Sequence, residues 1–155
     1  MTPGINAVKR AKVAHSIHEY QHDSTSVSYG IEAAEKLGVE PNRVFKTLVI
    51  KLDDKEFAVA VIPVALKVSM KKFAKTTGAK KAAMAESADV ERVTGYVLGG
   101  VSPLGQKKSL KVWLDTSANN LNSLFVSAGR RGLEIELSPT SLAKLTNAAF
   151  VDICQ

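Results

Sequence analysis

TGYVLGGVSPLGQKK, residues 94–108, gathers Gly95, Gly99, Gly100 and Gly105 into one short window with Pro103. No acidic residue occurs between Thr94 and Asp115, and Lys107, Lys108 and Lys111 fall within that span. Without a Cβ, glycine lets a ligand approach the main chain, so exposed N–H groups can meet an anionic oxygen while the lysines attract it from further off. The same residues also fit a hairpin in which glycine satisfies positive φ and Ser102-Pro103 turns the chain. Nucleoside-triphosphate motifs are excluded. The window has no GxGxxG, and the run from Gly100 to Gly105 has P-loop spacing but carries Gln106 where the lysine belongs and Pro103 where an N–H is needed.

Working outward, residues 87–93 read as a capped helix leading into this window, and Leu110–Leu114 and Leu124–Ser127 read as short strands beyond it. The second strand runs into Ser127-Ala128-Gly129-Arg130-Arg131-Gly132, read as another loop rich in glycine and positive charge. The two loops are expected to line one cleft. Leu133–Leu137 alternates as a half-exposed strand, Ser138-Pro139 opens a last helix, and Phe150–Ile153 is a candidate closing strand.

Upstream, Thr2-Pro3 fits a helix N-cap and first turn, with Ile5 and Val8 as its apolar stripe. Val13–Tyr20 predicts a strand that carries or adjoins all three histidines, His15, His18 and His22, next to Asp23. On a strand His15 and His18 point to opposite faces, whereas His18 and His22 share one, a weak ligand spacing for a metal. Ser28–Leu37 predicts an amphipathic helix with Glu32 four residues before Lys36 and Gly38 as its stop.

Residues 44–50, VFKTLVI, predict a strand with one charge inside it, and alternation puts Lys46 on the face of Val44, Leu48 and Ile50. An ammonium there needs a partner or a water-filled cleft; the other reading is an edge-strand lysine that guards against aggregation. Phe57–Ile62 predicts the neighbouring strand, and Ser69 caps a helix through Thr77 ended by Gly78. Lys71, Lys72, Lys75, Lys80 and Lys81 form the densest basic run, a solvated face or a seat for nucleic-acid backbone. About seven strands and four or five helices without regular βαβ alternation predict an α+β fold on a mixed, partly closed sheet.

Bulk properties agree with one domain spanning residues 1–155: 45% of residues are apolar and 23% charged. The 21 basic against 15 acidic residues give a net charge of +6, which favours a polyanionic partner. Aromatics at 6% are too sparse for a base-stacking platform. Cys154 is the single cysteine, so neither an internal disulfide nor a cysteine metal cluster is available. No segment has the length and apolarity of a signal sequence or membrane span, which predicts a cytoplasmic protein without a membrane partner. There is no GxSxG, no cysteine–histidine pair and no carboxylate pair at a recognisable spacing, so the residues offer binding and electrostatics in place of a nucleophile.

The chain resembles the YbaK/EbsC family of freestanding aminoacyl-tRNA deacylases. The pieces that carry the resemblance are MTP at the start, residues 18–23 (HEYQHD), 45–48 (FKTL), the whole of 94–108, and 126–133 (VSAGRRGL), in family order across nearly the full length. The resemblance implies a mixed β-barrel-like sheet with surrounding helices, no cofactor and no metal. It implies cleavage of the ester that joins a mischarged amino acid to tRNA, with the GGVSPLGQKK form similar to the branch that clears cysteine from proline tRNA. An alanyl-tRNA deacylase of the same fold and a tRNA-binding module without hydrolysis are the alternatives. By this resemblance Lys46, Gly99 and Gly100 are the catalytic positions, the lysine near the terminal nucleotide and scissile ester, the glycines on the aminoacyl carbonyl. Tyr20, Tyr29, Thr47, Ser127 and Gly129 are the substrate-binding positions. The acceptor end of mischarged tRNA is the implied ligand, prolyl-tRNA synthetase a candidate partner, and the substrate's own thiol the implied nucleophile. Tyr29 stands where phenylalanine is usual in the family, and Ala128 where a second glycine is common.

Overall fold

A computed structural model describes residues 1–25 and 28–155. The chain runs α1 (Pro3–Ala11), β1 (His15–Glu19), α2 (Tyr29–Leu37), β2 (Phe45–Leu52), β3 (Glu56–Pro63), α3 (Met70–Thr77), β4 (Ala82–Met84), α4 (Ser87–Thr94), β5 (Lys111–Asp115), β6 (Leu124–Arg130), β7 (Leu133–Leu137), α5 (Pro139–Thr146) and β8 (Ala149–Val151). Short 3-10 turns at Pro41–Arg43 and Thr116–Asn120 complete it.

Local sequence explains the helix ends. The Thr2 hydroxyl accepts the Ile5 N–H at 3.2 Å and donates to the Ala128 carbonyl, tying α1 to β6. Ser69 accepts the Lys72 N–H at 3.1 Å, and Gly78 closes α3 in the left-handed region at φ 80°.

The strands form two sheets, one in the order β1-β7-β6 and the other β4-β2-β3-β5-β8. The five-stranded sheet is mixed: β2 pairs antiparallel with β3 and β4, whereas β3–β5 and β5–β8 are parallel. The sheets are not closed into one barrel. An isolated parallel bridge between Val44 and Phe125 joins them where β2 begins. The α+β class and mixed sheet match the sequence reading.

Phe45, Val59, Val61, Val112 and Leu114 of the larger sheet bury against Leu124, Val126, Leu133, Ile135 and Leu137 of the smaller, with Ile5 and Val8 of α1. Side chains of this size each contribute roughly 1.5–3 kcal/mol on burial, so this layer fixes the stacking of the two sheets. The other face of the larger sheet packs Ile50, Ala60, Ile62 and Trp113 under Phe73 of α3. Leu48 and Ile50 join this second layer, so the alternation read for β2 holds and Lys46 shares their face.

Two details differ from the sequence reading. β4 has no β-branched pattern to announce it and exists because Ala82–Met84 pairs with Ile50–Leu52. Residues 127–130 continue β6 instead of forming a loop, with a register shift between Ser127 and Arg130. β2 is not an edge strand throughout: β3 flanks it along its length and β4 covers Ile50–Leu52, while the stretch that carries Lys46 is strand-paired with β3 alone. Among the described residues no helix is long and apolar enough to cross a membrane.

Candidate functional site

Where β2 leaves the bridge to β6, a cavity of about 400 Å³ opens. Tyr20, Tyr29, Lys46, Thr47, Gly99 and Ser127 line it, together with Glu134 and apolar residues that include Phe45, Val64 and Leu98. Six of the eight positions singled out by the sequence therefore converge. Gly100 and Gly129 do not line the cavity but pack behind its walls.

Lys46 enters from β2 opposite Ile62 and is half-buried. Its Nζ donates to the Val64 carbonyl at 3.3 Å, and no carboxylate lies within ion-pair distance among the described residues. Loss of water around the ammonium lowers its pKa, an effect partly offset by the Cys154 thiol and reinforced by Lys67. The cavity thus holds a cation with donor capacity to spare; Thr47, the next residue of β2 and on the strand's other face, also lines it, and its Oγ1 is buried without a hydrogen-bond partner among the described residues.

The glycines of 94–108 divide their work. Gly95 ends α4 with φ 81°. Gly100 donates its N–H to the Val97 carbonyl at 3.0 Å, and a Cβ there would stand 2.8 Å from the Arg130 Cα. Its role is a turn and a close approach, and its N–H is already spent. Gly99, at φ 90°, is the one that presents backbone to the cavity. Residues 95–110 form no strand-paired hairpin; the left-handed turn positions fall on Gly95, Gly99 and Gly105, and Gly99 is the glycine of this loop that borders the cavity.

The two glycine-basic segments do meet. A Cβ at Gly99 would lie 2.8 Å from the Tyr29 ring and 3.2 Å from Arg131 Cδ. Ser127 accepts the Gly129 N–H at 3.1 Å, and Gly129, at φ 121°, leaves room for the Tyr96 ring, whose hydroxyl donates to the Leu104 carbonyl at 2.6 Å. The trailing lysines stand apart: Lys108, with Gly105 and Gln106, borders a separate hollow of about 190 Å³. Within the basic run, Lys72 is bound to Asp152 at 3.2 Å and Lys81 to Asp54 at 2.6 Å.

The histidines separate. His18 meets Glu136 at 2.9 Å, His22 meets Glu32 at 2.8 Å, and His15 Nδ1 lies 2.8 Å from the Val13 carbonyl. No group of three metal-ligating side chains occurs among the described residues. Burial alone would raise the Glu32 carboxyl, yet the hydrogen bonds from His22 and the Asp23 N–H hold it below its ordinary range, which ties the segment after Tyr20 to α2.

Glu134 is the cavity residue that sequence reasoning missed. Strand alternation puts it opposite the core-facing Leu133 and Ile135, where exposure is expected, yet it is 5% exposed. The available signal was hairpin register: the turn after Arg130 sets Glu134 directly across from Ser127. Burial pushes its carboxyl up to about 8. Its folded pKa therefore exceeds the ordinary 4.5, so the stability gained by holding the proton is complete below that value and lost as pH rises through about 8. Glu134→Gln, neutral throughout, is expected to gain on the parent by on the order of 2 kcal/mol between pH 6 and pH 9 in denaturant melts. A gap that stays constant with pH would place the proton elsewhere.

With this geometry the comparisons become specific. A family model described as the aminoacyl-tRNA editing domain matches residues 26–145. An Enterococcus faecalis protein named "Putative Cys-tRNA(Pro)/Cys-tRNA(Cys) deacylase EbsC" is 39% identical over 152 residues, 98% of this chain and 92% of that protein. A proline–tRNA ligase of Caldicellulosiruptor bescii is 27% identical over 79% of this chain and 22% of its own length. A solved structure titled as "a putative trans-editing enzyme for prolyl tRNA synthetase" superposes with a TM-score of 0.85 over 100% of this chain and 99% of that one, at 21% identity, a likeness of fold.

Proposed function

Because the chain belongs to the aminoacyl-tRNA editing domain family, we propose that residues 1–155 act as one editing domain that removes a wrongly attached amino acid from tRNA in trans, with cysteinyl-tRNA(Pro) as substrate. The observation that carries this reading is one cavity holding a desolvated lysine, an unpartnered buried hydroxyl and a bare-backbone turn. Its volume of about 400 Å³ suits a terminal nucleoside bearing a small aminoacyl group and leaves a duplex outside. The name of the Enterococcus faecalis relative supports cysteine as the amino acid. The similarity of a segment of a proline–tRNA ligase supports tRNA for proline as the shared substrate; handover by that enzyme, in the cytoplasm, is part of the proposal.

In this mechanism Lys46 and the Gly99 N–H oppose the negative charge that develops on the ester carbonyl oxygen. Gly100 shapes the turn that aims Gly99. Thr47 and Ser127 bind polar atoms of the aminoacyl-nucleoside, Tyr20 and Tyr29 wall it, and Gly129 sets the Ser127 hydroxyl. The substrate's thiol sulfur bonds to the carbonyl carbon, the carbon–oxygen bond to ribose breaks, and the ribose oxygen takes the thiol proton. Water then opens the cyclic thioester to free cysteine. The protein contributes position and charge complementarity, terms that together supply most of the rate in such reactions. Cys154 is outside the cavity lining, and burial pushes its thiol up to about 12, so it is no rival nucleophile.

Incubation with proline tRNA charged separately with cysteine, alanine and proline tests the proposal. Cysteine is expected to be released far faster than the other two. Preferential release of alanine would reassign the substrate, and binding without release of any amino acid would reduce the protein to a tRNA-binding module.

A further inference from the structure

Arg131 lies in the turn between β6 and β7, packed against two cavity residues. Its guanidinium carbon is 3.6 Å from the centroid of the Tyr29 ring. Its Nε is buried without a hydrogen-bond partner, and no carboxylate lies within ion-pair distance of it among the described residues. The arrangement is tightly built. Gly99 permits the approach of both the Tyr29 ring and Arg131 Cδ, and Gly100 seats against the backbone of Arg130.

An arginine held in this way is always charged and oriented in advance, with a planar fork that matches a tetrahedral anion. The Nε has almost no accessible surface and is held within the stack on Tyr29, so a phosphate would meet the terminal nitrogens of the fork. The chemistry of the substrate narrows the choice of anion. In an aminoacyl ester the carboxyl group is neutral and the amino group is cationic, so the only anions near the reacting end are phosphates. The cavity accommodates the terminal nucleoside, and the first phosphate outside it is the one that joins this nucleoside to its neighbour.

We propose that Arg131, braced by the Tyr29 ring, binds the last internucleotide phosphate of the charged tRNA and so sets how deeply the terminal nucleoside enters. This rests on the deacylase reading above. It assigns a backbone contact, one that positions the end without reading sequence.

The test is a cycle between protein and substrate, using full-length cysteinyl-tRNA(Pro) in which the last internucleotide phosphate is either native or a neutral methylphosphonate. The parent protein is expected to lose about 10–100-fold in kcat/KM on the neutral linkage, mainly through KM. Arg131→Gln is expected to lose about as much on native tRNA and little more on the neutral one. Equal further loss in the variant, or no loss from either change, would overturn the proposal. Arg131→Gln keeps most of the side-chain volume, and thermal melts of both proteins establish that the variant is folded. Failure of the parent protein to release cysteine from native tRNA would instead overturn the deacylase reading itself.

Discussion

Lys46→Ala is expected to lower cysteine release from charged tRNA by at least about 100-fold, the usual cost of removing one group that stabilises charge in the transition state. The protein should remain folded. A buried ion pair would leave an uncompensated charge when broken, but among the described residues Lys46 has no such pair, and its hydrogen-bond partner there is the Val64 carbonyl at 3.3 Å. The pKa argument points the same way. Desolvation depresses the Lys46 pKa in the folded state, so its contribution to stability is present above the ordinary value of 10.5 and is lost as pH falls through the folded value. At neutral pH the folded protein therefore bears the cost of a partly desolvated charge, and alanine relieves it. Single-turnover deacylation together with thermal melts at pH 7 separates the two effects. Loss of activity with an unchanged or higher Tm is the expected pair. Turnover within a few-fold of the parent would remove Lys46 from the mechanism.

That Lys46 stands out in the sequence follows from local rules. Alternation in VFKTLVI puts the ammonium on a face otherwise occupied by Leu48 and Ile50, and a charge on such a face calls for explanation. Helix ends were equally legible at Thr2-Pro3 and at Ser69 to Gly78, because a cap needs only a few consecutive residues. What alternation could not give was depth. Glu134 obeys the in–out pattern of β7 and faces away from the main core, yet the cavity walls enclose it. The segment from Ser127 to Arg130 has the glycine and arginine of a loop, while a register shift lets it remain in β6. The first miss depends on cavity walls distant in sequence, the second on a hairpin partner only a few residues away, at Leu133 and Glu134.

Glycine in 94–108 is the third such case, and Gly105 gives it a measurable form. Sequence alone offers the same two reasons for each glycine, an open backbone for a ligand or positive φ in a turn, and Gly105 does not line the cavity of Lys46. It adopts φ 66°, and a Cβ there would overlap the carbonyl of Pro3 and stand 2.8 Å from the Gly4 nitrogen. These are main-chain atoms of the first turn of α1, which itself is tied to β6 through the Thr2 hydroxyl and the Ala128 carbonyl. They cannot move aside as a side-chain tip would. Gly105→Ala is therefore expected to combine left-handed strain with overpacking, on the order of 2–4 kcal/mol, or a fall in Tm of roughly 5–15 °C for a chain of this size. Gly78→Ala serves as the control: at φ 80° it has no atom within 4 Å of the added methyl, so it carries the backbone strain without the overlap. The difference between the two melts measures the docking of the loop on α1. If Gly105→Ala melts with or above Gly78→Ala, the close approach at Pro3 does not hold this loop in place.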